Sequence, residues 1–245
     1  MGYYKSEQYR DFVLGGRFAL ALVILMLVSF FINLMRQLNR MLGPGTLVKL
    51  LLGRYHRAVA EDRIFMSLDL NDSTSIAAAL GPLRFHDFEN DFFYDIAEPV
   101  LETRGQIYQY VGDEVVVTWT IEMGLRQGNC LRCAFLVTER IHQQRDRYLA
   151  RYGIVPGFEA GLHGGPVVTA EIGDVKKEIV HSGDTVNTAA RIEAECRPLE
   201  RRVLVSAELL SRCHVPEELE VEDMGKRELR GKVEALRLYS VRARA

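Results

Sequence analysis

The side chains in this 245-residue sequence whose types and spacing could do chemistry are two aspartates and an amide–guanidinium pair. Asp113 lies in Gly112-Asp113, between the runs Ile107–Val111 and Glu114–Trp119. Both runs are rich in β-branched and aromatic residues, which predicts a β-hairpin with a carboxylate at its tip. Asp69 ends a further apolar run, Arg63–Leu70, that reads as another strand. Either aspartate alone reads as an ordinary turn residue. Two of them at strand ends in one domain point to a shared site for a divalent cation. Asn187 and Arg191 stand four residues apart in Gly183-Asp184-Thr185-Val186-Asn187-Thr188-Ala189-Ala190-Arg191, so a helix starting near Asp184 puts both on one face. Ala189 and Ala190 leave the other face able to pack closely. Taken alone the pair is either a solvated polar face or a site for a ribose oxygen and a phosphate, because forked guanidinium donors match phosphate oxygens.

The elements that must position these groups follow from periodicity and breakers. Asn71–Thr74 offers N-cap residues for a helix running to Leu80, and Gly81-Pro82 ends it. Phe85, Phe88, Phe92 and Ile96 recur at helical spacing, predicting a core-facing helix to about Glu102. A long helix is predicted from Met123 to about Arg151. Two strands are predicted around Gly164-Gly165, and a short one at Glu178–His181. The helix from Asp184 should reach about Cys196, and Arg202–Val205 reads as a strand. Ser206 should cap a helix to about Cys213, and Glu218–Glu222 and Leu236–Val241 read as late strands. Hairpins mixed with helices imply an α+β domain.

Ahead of this domain, Phe18–Met35 carries no charged residue and is flanked by Arg17 and Arg36. Eighteen residues of helix span roughly 27 Å, enough to cross a bilayer core. The expected organisation is a juxtamembrane segment over 1–17, a transmembrane helix over 18–35, a helical linker over 36–60 and the α+β domain over 61–245. Tyr3, Tyr4 and Tyr9 suit an interfacial aromatic belt. Leu38, Met41 and Leu42 continue the stripe until Gly43-Pro44-Gly45, and Leu47–Ala58 suggests a short second helix. Arg36, Arg40, Lys49, Arg54 and Arg57 outnumber Lys5, Arg10 and Arg17, which places the C-terminal bulk in the cytoplasm and the anchor in the cell's inner membrane, against membrane lipid.

The net charge is −2, and no basic block is interleaved with aromatics, so nucleic acid is not an implied partner. Cys130 and Cys133 form a C-x-x-C without a second pair to complete a zinc site, and at helical spacing they read as buried thiols.

Five segments in order over about residues 60 to 242 resemble the class III nucleotidyl cyclases, the adenylyl and guanylyl cyclases. Phe65–Thr74 is similar to the first metal segment of that family, with Asp69 and Thr74 at its aspartate and threonine positions. Val111-Gly112-Asp113 resembles the second metal hairpin, and Gly161–Val167 the Gly-Ile-His-Thr-Gly segment. Gly183–Arg191 is a near-complete match to Gly-Asp-Thr-Val-Asn-x-Ala-Ala-Arg. Leu229-Arg230-Gly231-Lys232 resembles the Leu-Lys-Gly-Lys turn.

The resemblance implies a ferredoxin-like α+β domain acting as a head-to-tail homodimer on ATP, with active sites shared across the interface. Asp69, Asp113 and the Leu70 carbonyl of one protomer would hold two Mg²⁺ or Mn²⁺ ions. Asn187 and Arg191 of the other would orient the ribose and stabilise the α-phosphate. Thr74 and Lys232, with Arg230 as the alternative to Lys232, would meet phosphates. The chain departs from the family at the purine: Gln109 stands where Lys or Glu is usual, and Val180 where Asp, Thr or Cys is usual. Gln can donate and accept, so it could read adenine or guanine, whereas Val180 offers only packing. Asn71-Asp72-Ser73 also replaces a Gly-Phe-containing turn. The expected activity is an adenylate cyclase. A guanylate or mixed-specificity cyclase and a catalytically silent nucleotide-binding module are the alternatives. A diguanylate cyclase is a further rival, since Val111–Val115 resembles a Gly-Gly-Asp-Glu-Phe turn. The first Gly and the Phe are missing, however, and that family does not account for Gly183–Arg191.

Overall fold

In the computed structural model the described residues are 17–42, 53, 55–175, 177–232 and 234–244. The chain divides into two units, residues 1–54 and 55–245. In the first, helix α1 (Arg17–Leu42) includes an apolar stretch, Phe18–Leu38, long enough to cross a membrane, with none of it buried. It contains the expected span and continues through Leu38, Met41 and Leu42. Tyr3, Tyr4, Tyr9 and Gly43-Pro44-Gly45 lie outside the described residues, as does most of the second linker helix. Where that helix can be compared, it is not helical: Tyr55–Arg57 form turns and bends, and a strand begins at Val59. The β-sheet therefore claims the end of the segment read as linker, and Glu171 N–H bonds the Tyr55 carbonyl.

The second unit runs β1 (Val59–Leu70), α2 (Ser73–Leu80), α3 (Pro82–Glu102), β2 (Gln106–Val111) and β3 (Glu114–Thr120). There follow α4 (Ile121–Leu125), α5 (Asn129–Gln143), α6 (Arg145–Tyr152), β4 (Phe158–Ile172) and β5 (Glu178–Ser182). The chain ends with α7 (Asp184–Glu193), α8 (Cys196–Leu199), β6 (Val203–Ser206), α9 (Ala207–Leu210), β7 (Leu219–Arg227) and β8 (Leu236–Ala243). The sheet order is β2-β3-β1-β4-β6-β8-β7, with β5 paired to β4. Its first four strands, mutually antiparallel, have the order of a ferredoxin-like βαββαβ unit. The α+β expectation holds.

Alternation along β1 separates the two faces of the sheet. Ile64, Met66, Leu68 and Leu70 join Val115, Val117 and Trp119 in the main core, under Phe88, Phe92 and Ile96 of α3 and Leu131, Ala134 and Val137 of α5. The aromatic stripe of α3 is core. Phe65, Val116, Val167 and Ala189 form a second cluster on the opposite face, where α7 lies.

Four sequence expectations are corrected. The long helix from Met123 is broken: Gln127 and Gly128 take positive φ (53° and 65°), and Gln144 separates α5 from α6. Gly128 is forced, since a β-carbon there would come within 2.7 Å of the His214 carbonyl. Gly164-Gly165 does not divide two strands but sits inside the 15-residue β4, because β1 pairs with that strand along its length. The signature helix stops at Glu193, and Cys196 opens a separate turn. Asn71–Thr74 supplies no side-chain cap; Asp72 takes the left-handed conformation (φ 55°) at the N-cap of α2 and its carboxylate pairs with Arg197 at 2.8 Å. Ser206, in contrast, does cap its helix, accepting the Leu209 N–H. Cys130 and Cys133 are buried thiols as expected.

The tightest packing joins α7 to β4. A β-carbon on Gly161 would overlap the Glu193 nitrogen and the Ala189 carbonyl oxygen and lie 2.7 Å from the Glu193 Cα. Backbone cannot yield as a flexible side chain would. Gly161→Ala is therefore expected to destabilise the domain by about 3 kcal/mol or more, measured by denaturant unfolding. Gly81→Ala tests local strain instead: no atom lies within 4 Å of its β-carbon, but its φ is 74°, so a loss nearer ~1 kcal/mol is expected.

Candidate active site

The hairpin forms as the sequence predicts, with Val111 pairing Glu114 and Gly112 supplying the positive φ (63°) of its turn. The register of β1 against β3 places Asp69 opposite Glu114, and Asp69 also faces Glu159 of β4. Asp69 and Asp113 are thus brought to one end of the sheet. They are not alone. Burial, then the carboxylates of Asp113, Glu114 and Glu159, push the Asp69 carboxyl up to about 6, against the stabilising Leu70 N–H. Burial, then Asp69, Glu159, Glu114 and Asp113, push Glu193 at the end of α7 up to about 8. Of these groups, Glu114 has a neutral partner, accepting the Ser67 hydroxyl.

A cleft of about 360 Å³ opens beside this cluster, lined by Asp69, Leu70, Asn71, Thr74, Glu193 and Arg197 among others. Thr74, read as a phosphate residue, is exposed there in the first turn of α2. The Oδ1 of Asn71 is buried and without a hydrogen-bond partner. Hard oxygen donors with unneutralised charge fit a Mg²⁺- or Mn²⁺-like ion, which prefers oxygen ligands and commonly completes its shell with substrate phosphates and water. Among the described residues no group of three or more His, Cys, Asp or Glu side chains is arranged to hold a metal ion.

A second set of groups gathers at the start of α7. Lys232 Nζ lies 2.6 Å from Asp184, and the Arg191 guanidinium lies 3.2 Å from the same carboxylate. The Lys232 hydrogen bond and charge, together with Arg191, hold Asp184 below the usual carboxylate range. Gly231 turns with φ 72° beneath Arg191, whose guanidinium would lie 3.5 Å from a β-carbon. Asn187 is exposed on the same helix. Of the two residues read for the terminal phosphates, Lys232 belongs to this set; Arg230 is exposed outside it. No hydrogen bond or ion pair among the described residues joins this set to the Asp69 cluster.

Gln109 is exposed on β2 and Val180 half-buried on β5, and the structure links their strands through their neighbours. Tyr108, at a bulge in β2, accepts the backbone N–H of His181 at 3.1 Å, and the two rings lie 4.8 Å apart. His181 bonds Thr169, whose hydroxyl also reaches Glu61. His163, buried in the glycine-rich segment, bonds Ser206 at 2.8 Å, and burial lowers it to about 4.

Sequence reading missed Glu114, Glu159, Glu193, Asp184 and Tyr108. Asp184 lay inside the signature motif and could have been found by its spacing to Arg191. The others depend on strand register and on how α7 seats against the sheet, which no short motif encodes.

The chain matches the adenylate and guanylate cyclase catalytic domain over residues 61–242. It is 42% identical over 207 residues to adenylate cyclase 2 of Rhizobium meliloti, covering 84% of this chain and 57% of that protein. It is 25% identical to an adenylate cyclase of Anabaena cylindrica, over 71% of this chain and 36% of that one. The chain thus spans a little over half, or less, of these relatives. Among solved structures it resembles a bacterial light-regulated adenylyl cyclase (TM-score 0.74, 20% identity, 91% of this chain and 65% of that one). It also resembles the adenylyl cyclase CyaB of P. aeruginosa (TM-score 0.67, 17% identity, 77% and 97%). The structural likenesses speak to the fold. The chain belongs to the adenylate and guanylate cyclase family.

The acidic cluster predicts a pH dependence. Glu193 binds its proton more tightly folded than unfolded, so between its ordinary 4.5 and about 8 the folded state holds more protons and loses stability as pH rises. His163 acts oppositely, but only between about 4 and 6.5. Without divalent cations the thermal midpoint of the domain is expected to fall from pH 6.5 to 8. Glu193→Gln should flatten that fall, and millimolar Mn²⁺ should raise the midpoint more at pH 8 than at pH 6. A wild-type midpoint flat across this range counts against the cluster.

Proposed function

We propose that the protein is a membrane-anchored adenylate cyclase, converting ATP to 3′,5′-cyclic AMP and pyrophosphate at sites shared by a head-to-tail homodimer. The observation that carries the reading is the convergence of Asp69 and Asp113 on one unneutralised carboxylate cluster. Identity to the rhizobial adenylate cyclase supports ATP as the nucleotide. Bound at Asp69, Asp113 and the Leu70 carbonyl, two Mg²⁺ or Mn²⁺ ions would activate the ribose 3′-hydroxyl and neutralise the triphosphate. Asn187 orients the ribose, and Arg191 stabilises charge growing on the α-phosphate. Lys232 meets the terminal phosphates, with Thr74 beside them at the N-terminus of α2. Lys232 and Arg191, already clustered on Asp184, exchange that carboxylate for phosphate oxygens.

Sharing is supported by the absence, among the described residues, of any hydrogen bond or ion pair joining the two sets within one chain. With the sites divided between protomers, neither half-set is competent alone. The apolar exposed face of α1 supports an anchor in the inner membrane, and the arginine and lysine asymmetry supports a cytoplasmic catalytic domain.

Two measurements test this. Purified protein with Mn²⁺, given ATP and GTP separately and together, is expected to yield cyclic AMP. Cyclic GMP alone would make Gln109 and Val180 a guanine-reading pair, and no product from an intact dimer would leave a binding module. Asp113→Ala and Asn187→Ala should each lower turnover by at least about 100-fold. Mixed in equal amounts, they should recover roughly a quarter of wild-type activity, because half the dimers are mixed and each holds one complete site. Heterodimers without recovery would overturn the shared site.

A further inference from the structure

On the sheet face opposite α7, a hollow of about 150 Å³ opens between the end of α5 and the loop leading into β4. Its floor is apolar: Ile141, Pro156 and Phe158 are buried there. Its rim carries three basic side chains, His142, Arg145 and Arg202. None of the three has a carboxylate within ion-pair distance among the described residues. The Arg202 guanidinium instead stands 5.9 Å over the Phe158 ring. An apolar pocket rimmed by two guanidinium groups and an imidazole is complementary to one chemical class, an anion with a small apolar body. The body would exchange water for Phe158 and Ile141, and the anionic head would meet forked guanidinium donors. The volume limits the body to about one ring, since a dry protein cavity of ~150 Å³ accepts benzene.

The hollow also touches the loop that carries the phosphate-side residues. Gly157, in its wall, accepts the Asn71 N–H at 3.0 Å, and Phe158 pairs with Leu70 across β4 and β1. We propose that this hollow is a second ligand site, for a small carboxylate with an apolar body, seated one hydrogen bond behind the Leu70–Asn71 segment. The proposal stands whether or not ATP is the nucleotide.

Benzoate is the probe, and benzyl alcohol its neutral counterpart. Saturation-transfer difference NMR on the full chain in lipid nanodiscs reads aromatic ligand protons clear of the lipid signals. Benzoate should titrate to saturation, with benzyl alcohol at least about tenfold weaker. The exposed double substitution Arg145→Gln/Arg202→Gln should weaken benzoate at least about tenfold, equivalent to ~1.4 kcal/mol, and leave benzyl alcohol unchanged. Val155→Trp, which fills the hollow from its wall, should abolish both signals. No titration with benzoate, equal binding of the alcohol, or unaltered benzoate binding in the double variant would each overturn the site.

Discussion

Helix α7 lies against β4 with no side chain separating them at Gly161, and the rest of the site depends on that contact. Because the Glu193 nitrogen and Ala189 carbonyl occupy the space of a β-carbon, the helix axis cannot move outward or rotate without opening a void over Phe65 and Val167. One face of α7 is thereby fixed to the sheet, and its polar groups are aimed by default. Arg191 and Asp184 turn toward Lys232, and Glu193 turns toward Asp69. A small residue on each partner converts a sequence signature into a rigid bracket between two polar sets.

The carboxylate cluster runs against stability. Asp69 and Glu193 both hold their protons above the usual range because burial and mutual repulsion disfavour their charged forms. The packing that buries them is nevertheless extensive, with β1 paired on both edges by β3 and β4. Repulsion tolerated at one end of a well-packed sheet is the signature of a position built for something other than folding. At the other set the opposite holds: Asp184 is satisfied by two cations, which keeps Lys232 and Arg191 side by side.

Gln109 and Val180, two of the departures from the family pattern, stand on strands that the structure ties together. Val180 contributes no hydrogen-bonding side chain, yet its strand is tied to that of Gln109 by the Tyr108 hydroxyl on the His181 amide. The spacing of the two strands is thus set by Tyr108 and by the His181–Thr169–Glu61 chain, not by the two residues themselves. Asp72, where a more flexible turn is usual, accepts a left-handed backbone and is held by Arg197.

The residue types and order of the strands and helices were written in the sequence: the hairpin at Gly112-Asp113, the stripe of α3, the apolar run of α1 and the Ser206 cap all rest on local patterns of period 2 or 3.6 and on turn chemistry. So did the candidates Asp69, Asp113, Asn187 and Arg191, because they fall inside short motifs. Only the tertiary structure decided that β4 runs unbroken through Gly164-Gly165, and that a helix read as continuous from Met123 breaks at Gln127-Gly128. Those outcomes rest on long-range pairing with β1 and on the backbone near His214. It alone gathered Glu114, Glu159 and Glu193 around Asp69, and set Lys232 against Asp184. Charges distant in sequence meet through strand register and helix seating, and neither is a local property of the chain.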